Sequence, residues 1–170
     1  MPKPFAELLA ACSRSAVHLE MRDTYTPDDP VFQRWLAGEQ IDWLAGEDEQ
    51  RWHELVRETV AHGVVMRRAR IISEPITDHI RHEYEATDAL NVAAGELVRW
   101  LPRDRASDLA LPGNDCWILD DRQVRFGHFA GDGRHLRDEL TEEPAVVKLC
   151  SSAFEAVWER AIPHEDYHPR

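Results

Sequence analysis

The chain has 170 residues, 43% hydrophobic and 31% charged, with 32 Asp and Glu against 20 Lys and Arg and a formal net charge of −12. That length suits one domain with its own core, and so acidic a chain is expected to repel phosphate backbones, which argues against direct nucleic-acid binding. The sequence shows no apolar run of signal-peptide or membrane-span length, and Cys12, Cys116 and Cys150 lie far apart without a C-x-x-C pair, so a cytoplasmic protein with reduced thiols is expected.

Phe5, Leu8, Leu9 and Cys12 fall at helical spacing and predict a short helix over 4–13. Alternation then predicts a strand over 15–22, with Val17, Leu19 and Met21 on one face and His18, Glu20 and Arg22 on the other. A turn at TPDDP, a brief helix in VFQRWLAGE and an acidic surface loop over 39–48 follow. Residues 49–62 form a helix with Trp52, Leu55, Val56 and Val60 on its apolar stripe, stopped by Gly63 before a strand over 64–72. The same rhythm repeats with a helix over 76–94, Gly95 and the strand ELVRWLP. After a loop, CWILDD and RQVRFGHF predict a hairpin. GDGRHLRDELTEE reads as a mobile connection, and residues 143–161 as the last helix, with Pro144 near its start and Pro163 beyond its end. The fold class is therefore α/β (α+β), one domain over 1–170 with a mixed sheet flanked by helices.

HEDYH at 164–168 matches H-E-x-x-H, which binds zinc when both histidines share one helical face. Pro163 precedes it, Pro169 follows it, and so short a segment makes a marginal helix. The motif is expected to be accidental, within a flexible tail over 162–170, and no metal or cofactor is expected. His79 and His82 share a helix with Asp78, Arg81 and Glu85, which reads as a solvated face. His128 reads as a packed residue that could also touch a ligand. Ligands of αβ-built sheets meet the carboxyl ends of the strands. That edge would gather Arg70, Glu74, Arg99, Trp100 and Arg103, with Trp117 nearby, as an anion or carboxylate site. The competing reading is that these arginines neutralise the chain's own acids.

GVVMRRARII, GELVRWLP, CWILDDRQVRFGHF and AFEAVWERA, over about 50–161, resemble one half of the phospholipase D superfamily fold. That resemblance implies a phospholipase D-like fold, a homodimer if a two-motif site is to be completed, and H-x-K-x4-D for phosphodiester chemistry. Counted back from Asp121, the His and Lys positions hold Asn114 and Cys116; from Asp120 they hold Gly113 and Asp115. Neither register has the nucleophile or the lysine, so Asn114 and Asp115 remain only as pocket candidates. AVHLEMRDTYTPDD, RARIISEP, NVAAGELVRWLPR, LALPGND and AVVKLCSSAFEAVWERAIPHEDY resemble the actinobacterial domain of unknown function 6879. This second resemblance implies a setting beside helix-turn-helix regulators. The leading expectation is a non-catalytic regulatory protein that binds such a regulator. A small-anion sensor with a pocket at Arg70 and Arg99 is the first alternative, and an unrecognised hydrolase or metalloenzyme the second.

Overall fold

The computed structural model describes residues 3–170. After helix α1 (Phe5–Ala10), strand β1 (Ser15–Glu20) turns Val17 and Leu19 to one face and Ala16, His18 and Glu20 to the other. Helix α2 (Pro30–Leu36) begins where the Asp29 carboxylate accepts the Phe32 N–H at 2.9 Å. Helix α3 (Glu47–Ala61) carries three acids in its first turn, where they suit the helix dipole. Gly63, at φ 90°, turns the chain into β2 (Val65–Ile72). Helix α4 (Asp78–Leu90) runs into a 3-10 turn at Val92–Ala94, and Gly95 at φ 104° leads into β3 (Leu97–Pro102).

The hairpin is β4 (Cys116–Leu119) and β5 (Gln123–Phe129). Three residues join the strands: Asp120 and Asp121, at φ 52° and 51°, are the centre of a turn closed where the Arg122 N–H donates to the Leu119 carbonyl at 3.0 Å. Then come β6 (His135–Thr141), α5 (Pro144–Arg160) and the two-residue β7 (Ile162–Pro163). The seven strands lie in the order β6-β5-β4-β1-β2-β3-β7. β1, β2 and β3 are parallel, and every other pair is antiparallel. One face packs Val17, Leu19, Ala69, Ile71, Leu101 and Ile118 against Cys150, Phe154 and Val157 of α5. The opposite face is covered by α1, α3 and α4. This is the mixed α/β domain that the sequence implies. Among the described residues, no helix is long and apolar enough to cross a membrane.

Two expectations are corrected here. Residues 135–141 are not a mobile connection but β6, paired along β5. Its periodicity was hidden because both faces are largely exposed: Leu136 and Leu140 are outward on one, and Arg137 and Glu139 on the other. Charges on an edge strand suit a rim that must not recruit another chain. The tail is not free either. β7 pairs with β3, the Ile76 N–H donates to the Arg170 carbonyl at 2.8 Å, and Tyr167 is 2% exposed. The Tyr167 ring stacks on Trp100 at 5.4 Å and 14°, covering an indole that would otherwise face water at the sheet edge.

Candidate functional site

Register builds the site. His18 lies opposite Arg68 on β2 and Trp117 on β4, and Glu20 lies opposite Arg70. All five share the face toward α3 and α4. His18 stacks on the Trp117 ring at 4.2 Å and 14°. Because this parallel core is covered on both faces, its charged groups must pair with one another.

The pairing is dense. Glu20 accepts from Arg68 Nη1 at 2.6 Å and from Arg70 Nε at 2.7 Å. Arg68 Nε donates to Glu96 at 2.8 Å, and Glu96 also accepts from Asn91 Nδ2 at 2.6 Å. Arg70 donates to Thr87 Oγ1 at 2.7 Å, lies 2.9 Å from Glu83, and sits over the Trp100 ring at 4.8 Å. Burial pushes Glu20 up, but Arg68 and Arg70 outweigh it and hold the carboxyl far below its ordinary range. Two guanidiniums thus face three carboxylates, which leaves the buried cluster with an excess of negative charge.

The cluster ends at a cavity of about 170 Å³, lined by His18, Glu20, Tyr25, Asp115, Trp117, Arg125, Gly127 and Phe129 among others. Asp115 precedes β4 and is 4% exposed. Its Oδ1 accepts the Met21 N–H at 2.9 Å, and its Oδ2 accepts the Tyr25 hydroxyl. Burial pushes the carboxyl up to about 6, against the opposing pull of the Tyr25 hydroxyl. Burial likewise pushes the His18 imidazole down to about 3, with Glu20 opposing. The His18 Nδ1 is buried without a hydrogen bond. At neutral pH the wall of the cavity is therefore a neutral imidazole beside a carboxylate that no cation neutralises directly. A buried, shifted pair in a cleft marks a candidate site.

The sequence-predicted residues divide. Asp115 and Trp117 are in the site. Asn114, beside Asp115, is exposed and outside the lining. Arg70 and Trp100 share the face of the ion cluster, whereas Arg99 is on the opposite face, donating to the Trp158 carbonyl at 2.9 Å and lying 4.3 Å from that indole centroid. Neighbours in register are Arg70 with Trp100 and Ala69 with Arg99, so strand alternation separates the two arginines through the sheet. The expected anion pocket at Arg70 and Arg99 is corrected on that ground. Arg103 donates to the Met21 carbonyl at 2.5 Å and to Ser73 Oγ at 3.1 Å, tying down the ends of β1 and β2. Glu74 accepts the Tyr167 hydroxyl at 3.0 Å and holds the tail. His128 is on the other face of β5 from Gly127 and Phe129 and lies 3.0 Å from Glu139. The "solvated" His79 and His82 are corrected too: both pack against Phe32, at 5.1 and 5.2 Å, and His82 also meets Trp35 and Trp43.

In HEDYH, His164 Nδ1 accepts the Trp100 Nε1–H at 3.0 Å, and its Nε2 lies 3.3 Å from Asp88. His164 sits in a 3-10 turn and His168 on exposed chain beyond it, so the two do not share an α-helical face. Asp120, one of the two hairpin acids from which the phospholipase D motif can be counted, accepts the backbone N–H groups of Ser13, Arg14 and Ser15 at 2.9, 2.8 and 2.9 Å. It anchors the start of β1. Sequence reasoning missed Tyr25, Gly127 and Phe129, which come from a loop and from the far strand of the hairpin. It also placed His18 and Glu20 on the polar face without finding their partners. The signal for these was present: two adjacent strands, β1 and β2, each carry two polar residues toward helices, which in a covered sheet demands pairing.

Residues 3–169 match the family described as Domain of unknown function (DUF6879), and the chain belongs to that family. No curated protein sequence matches it. In fold it is similar to Nuc, a phospholipase D family member from Salmonella typhimurium, with a TM-score of 0.52 and 10% identity over 93% of this chain and 86% of that one. It is also similar to TrmBL2, an archaeal chromatin protein described as showing a novel mode of DNA binding, with a TM-score of 0.51 and 14% identity over 93% of this chain and 49% of that one. At these identities the likeness establishes a phospholipase D-like fold and no activity.

Proposed function

We propose that this member of the DUF6879 family is a non-catalytic interaction module that binds a basic protein partner, a helix-turn-helix regulator being the partner its family resemblance suggests. The observation that carries the reading is Asp115. Where one register of the phosphodiesterase motif requires a lysine to hold phosphate oxygens, the chain has a carboxylate locked by Met21 and Tyr25. A carboxylate there repels the phosphate that the lysine would hold. The surface agrees in sign. The buried cluster consumes Arg68 and Arg70, and Arg67 and Arg160 pair with Glu155 and Asp108. The exposed acids of α3 and the loop before it, Asp42, Glu47, Asp48, Glu54 and Glu58, outnumber Arg51 and Arg57 beside them. TrmBL2 is described as a DNA binder, but a net charge of −12 opposes a phosphate backbone, so DNA contact is assigned to the partner.

The test is surface plasmon resonance against the purified helix-turn-helix regulator. Micromolar or tighter binding that weakens with added salt is expected. No binding at micromolar concentration, or binding indifferent to salt, would sink the reading.

A further inference from the structure

We infer that the cavity at Asp115 receives an alkylammonium or guanidinium group, either that of a small free amine or the tip of a lysine or arginine on a partner. In its partner form this rests on the interaction-module reading and names the chemistry of one contact within it.

Four observations converge. The first is charge. Asp138 is committed to Arg125 and His135, and Glu20 to Arg68 and Arg70, which leaves Asp115 as the carboxylate of the lining with no cation in ion-pair contact among the described residues. Its two partners, the Met21 N–H and the Tyr25 hydroxyl, are both neutral. A buried carboxylate satisfied only by neutral donors gains most from a cation. The second is the surrounding field. The ion cluster behind the cavity sets three carboxylates, Glu20, Glu83 and Glu96, against two guanidiniums, with His79 Nε2 3.4 Å from Glu83, and at Asp115 the charge of Glu20 acts in the same sense as burial while Arg22 opposes it.

The third is the wall. Tyr25 and Phe129 meet edge to face at 5.3 Å, and both line the cavity. Arg22 also lies 5.3 Å from the Phe129 centroid, outside the cavity lining. The His18 imidazole, which also lines the cavity, is neutral, with its Nδ1 3.4 Å from Glu20, so it brings no competing positive charge. The fourth is size. At about 170 Å³ the cavity is smaller than the roughly 300–1,000 Å³ of drug-sized sites, and it suits a side-chain tip or a short amine. Gly127 keeps it open: a Cβ there would come within 3.0 Å of Phe129 Cε2 and force that ring to move.

The full chain is titrated with n-butylammonium chloride, with agmatine, with a short peptide holding one internal lysine or arginine, and with sodium phosphate, while amide NMR shifts are followed. Saturable shifts at the Met21, Asp115 and Gly127 amides with the cations, and none there with phosphate, are expected. Asp115→Asn keeps the shape of the side chain and should weaken the cation by at least about tenfold. Gly127→Ala leaves the carboxylate in place and should weaken it by closing the space. A free amine that binds at least about tenfold more tightly than the peptide identifies a small-molecule ligand, and the reverse order identifies a partner side chain. The inference is overturned if the amines give no saturable shifts at tens of millimolar, if phosphate shifts these amides instead, or if a folded Asp115→Asn binds the amines as the parent does. Regulator binding is measured separately on the same variants. A parent protein that binds the regulator while its cavity takes no amine removes this inference and leaves the interaction module standing.

Discussion

Replacing Asp115 with Asn should change how stability depends on pH, by an amount the structure sets. In the folded chain, burial raises the Asp115 carboxyl from 3.8 to about 6. A raised acid favours the fold while it is protonated. Its contribution is fully present below 3.8 and is lost as pH rises through about 6. Roughly two units at about 1.4 kcal/mol each give a loss of about 3 kcal/mol across that window. His18 works the other way. Its folded value is lowered from 6.5 to about 3, so its contribution is full above 6.5 and is lost as pH falls toward 3. Between about 4 and 6 the two slopes oppose, and the parent protein should look nearly indifferent to pH as far as this pair is concerned. The amide that Asp115→Asn introduces cannot titrate. The variant should therefore gain on the parent by about 3 kcal/mol as pH is raised from 4 to above 6. Urea denaturation of both proteins at several pH values in that range measures the difference directly. Parallel stability curves would show that Asp115 ionises as an ordinary carboxyl, and the electrostatic description of the cavity would fail.

Other changes test the frame around the cavity. Arg70→Met should cost about 3–5 kcal/mol, because it leaves Glu83 without its guanidinium and Glu20 with Arg68 alone in a covered face, and denaturant unfolding would register it. Asp120→Ala removes the acceptor for three backbone N–H groups at the start of β1, and a loss of about 2–4 kcal/mol in the same assay is expected. Deleting residues 164–170 uncovers Trp100 and removes Tyr167, so the melting temperature should fall by several degrees and Trp100 should become accessible to a fluorescence quencher. Zinc added to the intact chain should leave both the melting temperature and the environment of His164 unchanged, since that ring is occupied by Trp100 and Asp88.

Local pattern carried most of the architecture. Alternation in SAVHLE, the glycines after two helices and the Asp-Asp turn each correspond to an observed element. What pattern could not supply is which faces meet. Arg70 and Arg99 looked like neighbours because both lie near strand ends, yet alternation in a shared register puts a sheet between them. His79 and His82 looked solvated because acids and an arginine accompany them, yet α2 and Trp43 fold over that face. Tyr25 belongs to a loop with no periodicity, and only the fold brings it to a carboxylate 90 residues away. β6 was missed for a related reason: an edge strand that buries little leaves little contrast to read.

The same logic decides which charged groups can serve a ligand. Arg68 and Arg70 are the obvious cations of this face, but using either for an anion would take one of the two guanidiniums from Glu20 and strip Glu96 or Glu83 of its guanidinium in a covered setting. That costs several kcal/mol before any gain from the anion is counted. Asp115 faces the opposite situation. Its donors are neutral, its burial disfavours ionisation, and an arriving cation would relieve that penalty without breaking an ion pair. The fold thus holds its buried positive charges in fixed structure and leaves a negative one at a cavity. A phosphodiesterase site of the phospholipase D type needs the reverse, with positive groups free to meet phosphate oxygens. The sign of the available charge, more than the loss of any single motif residue, is what favours the proposed basic partner over a phosphate.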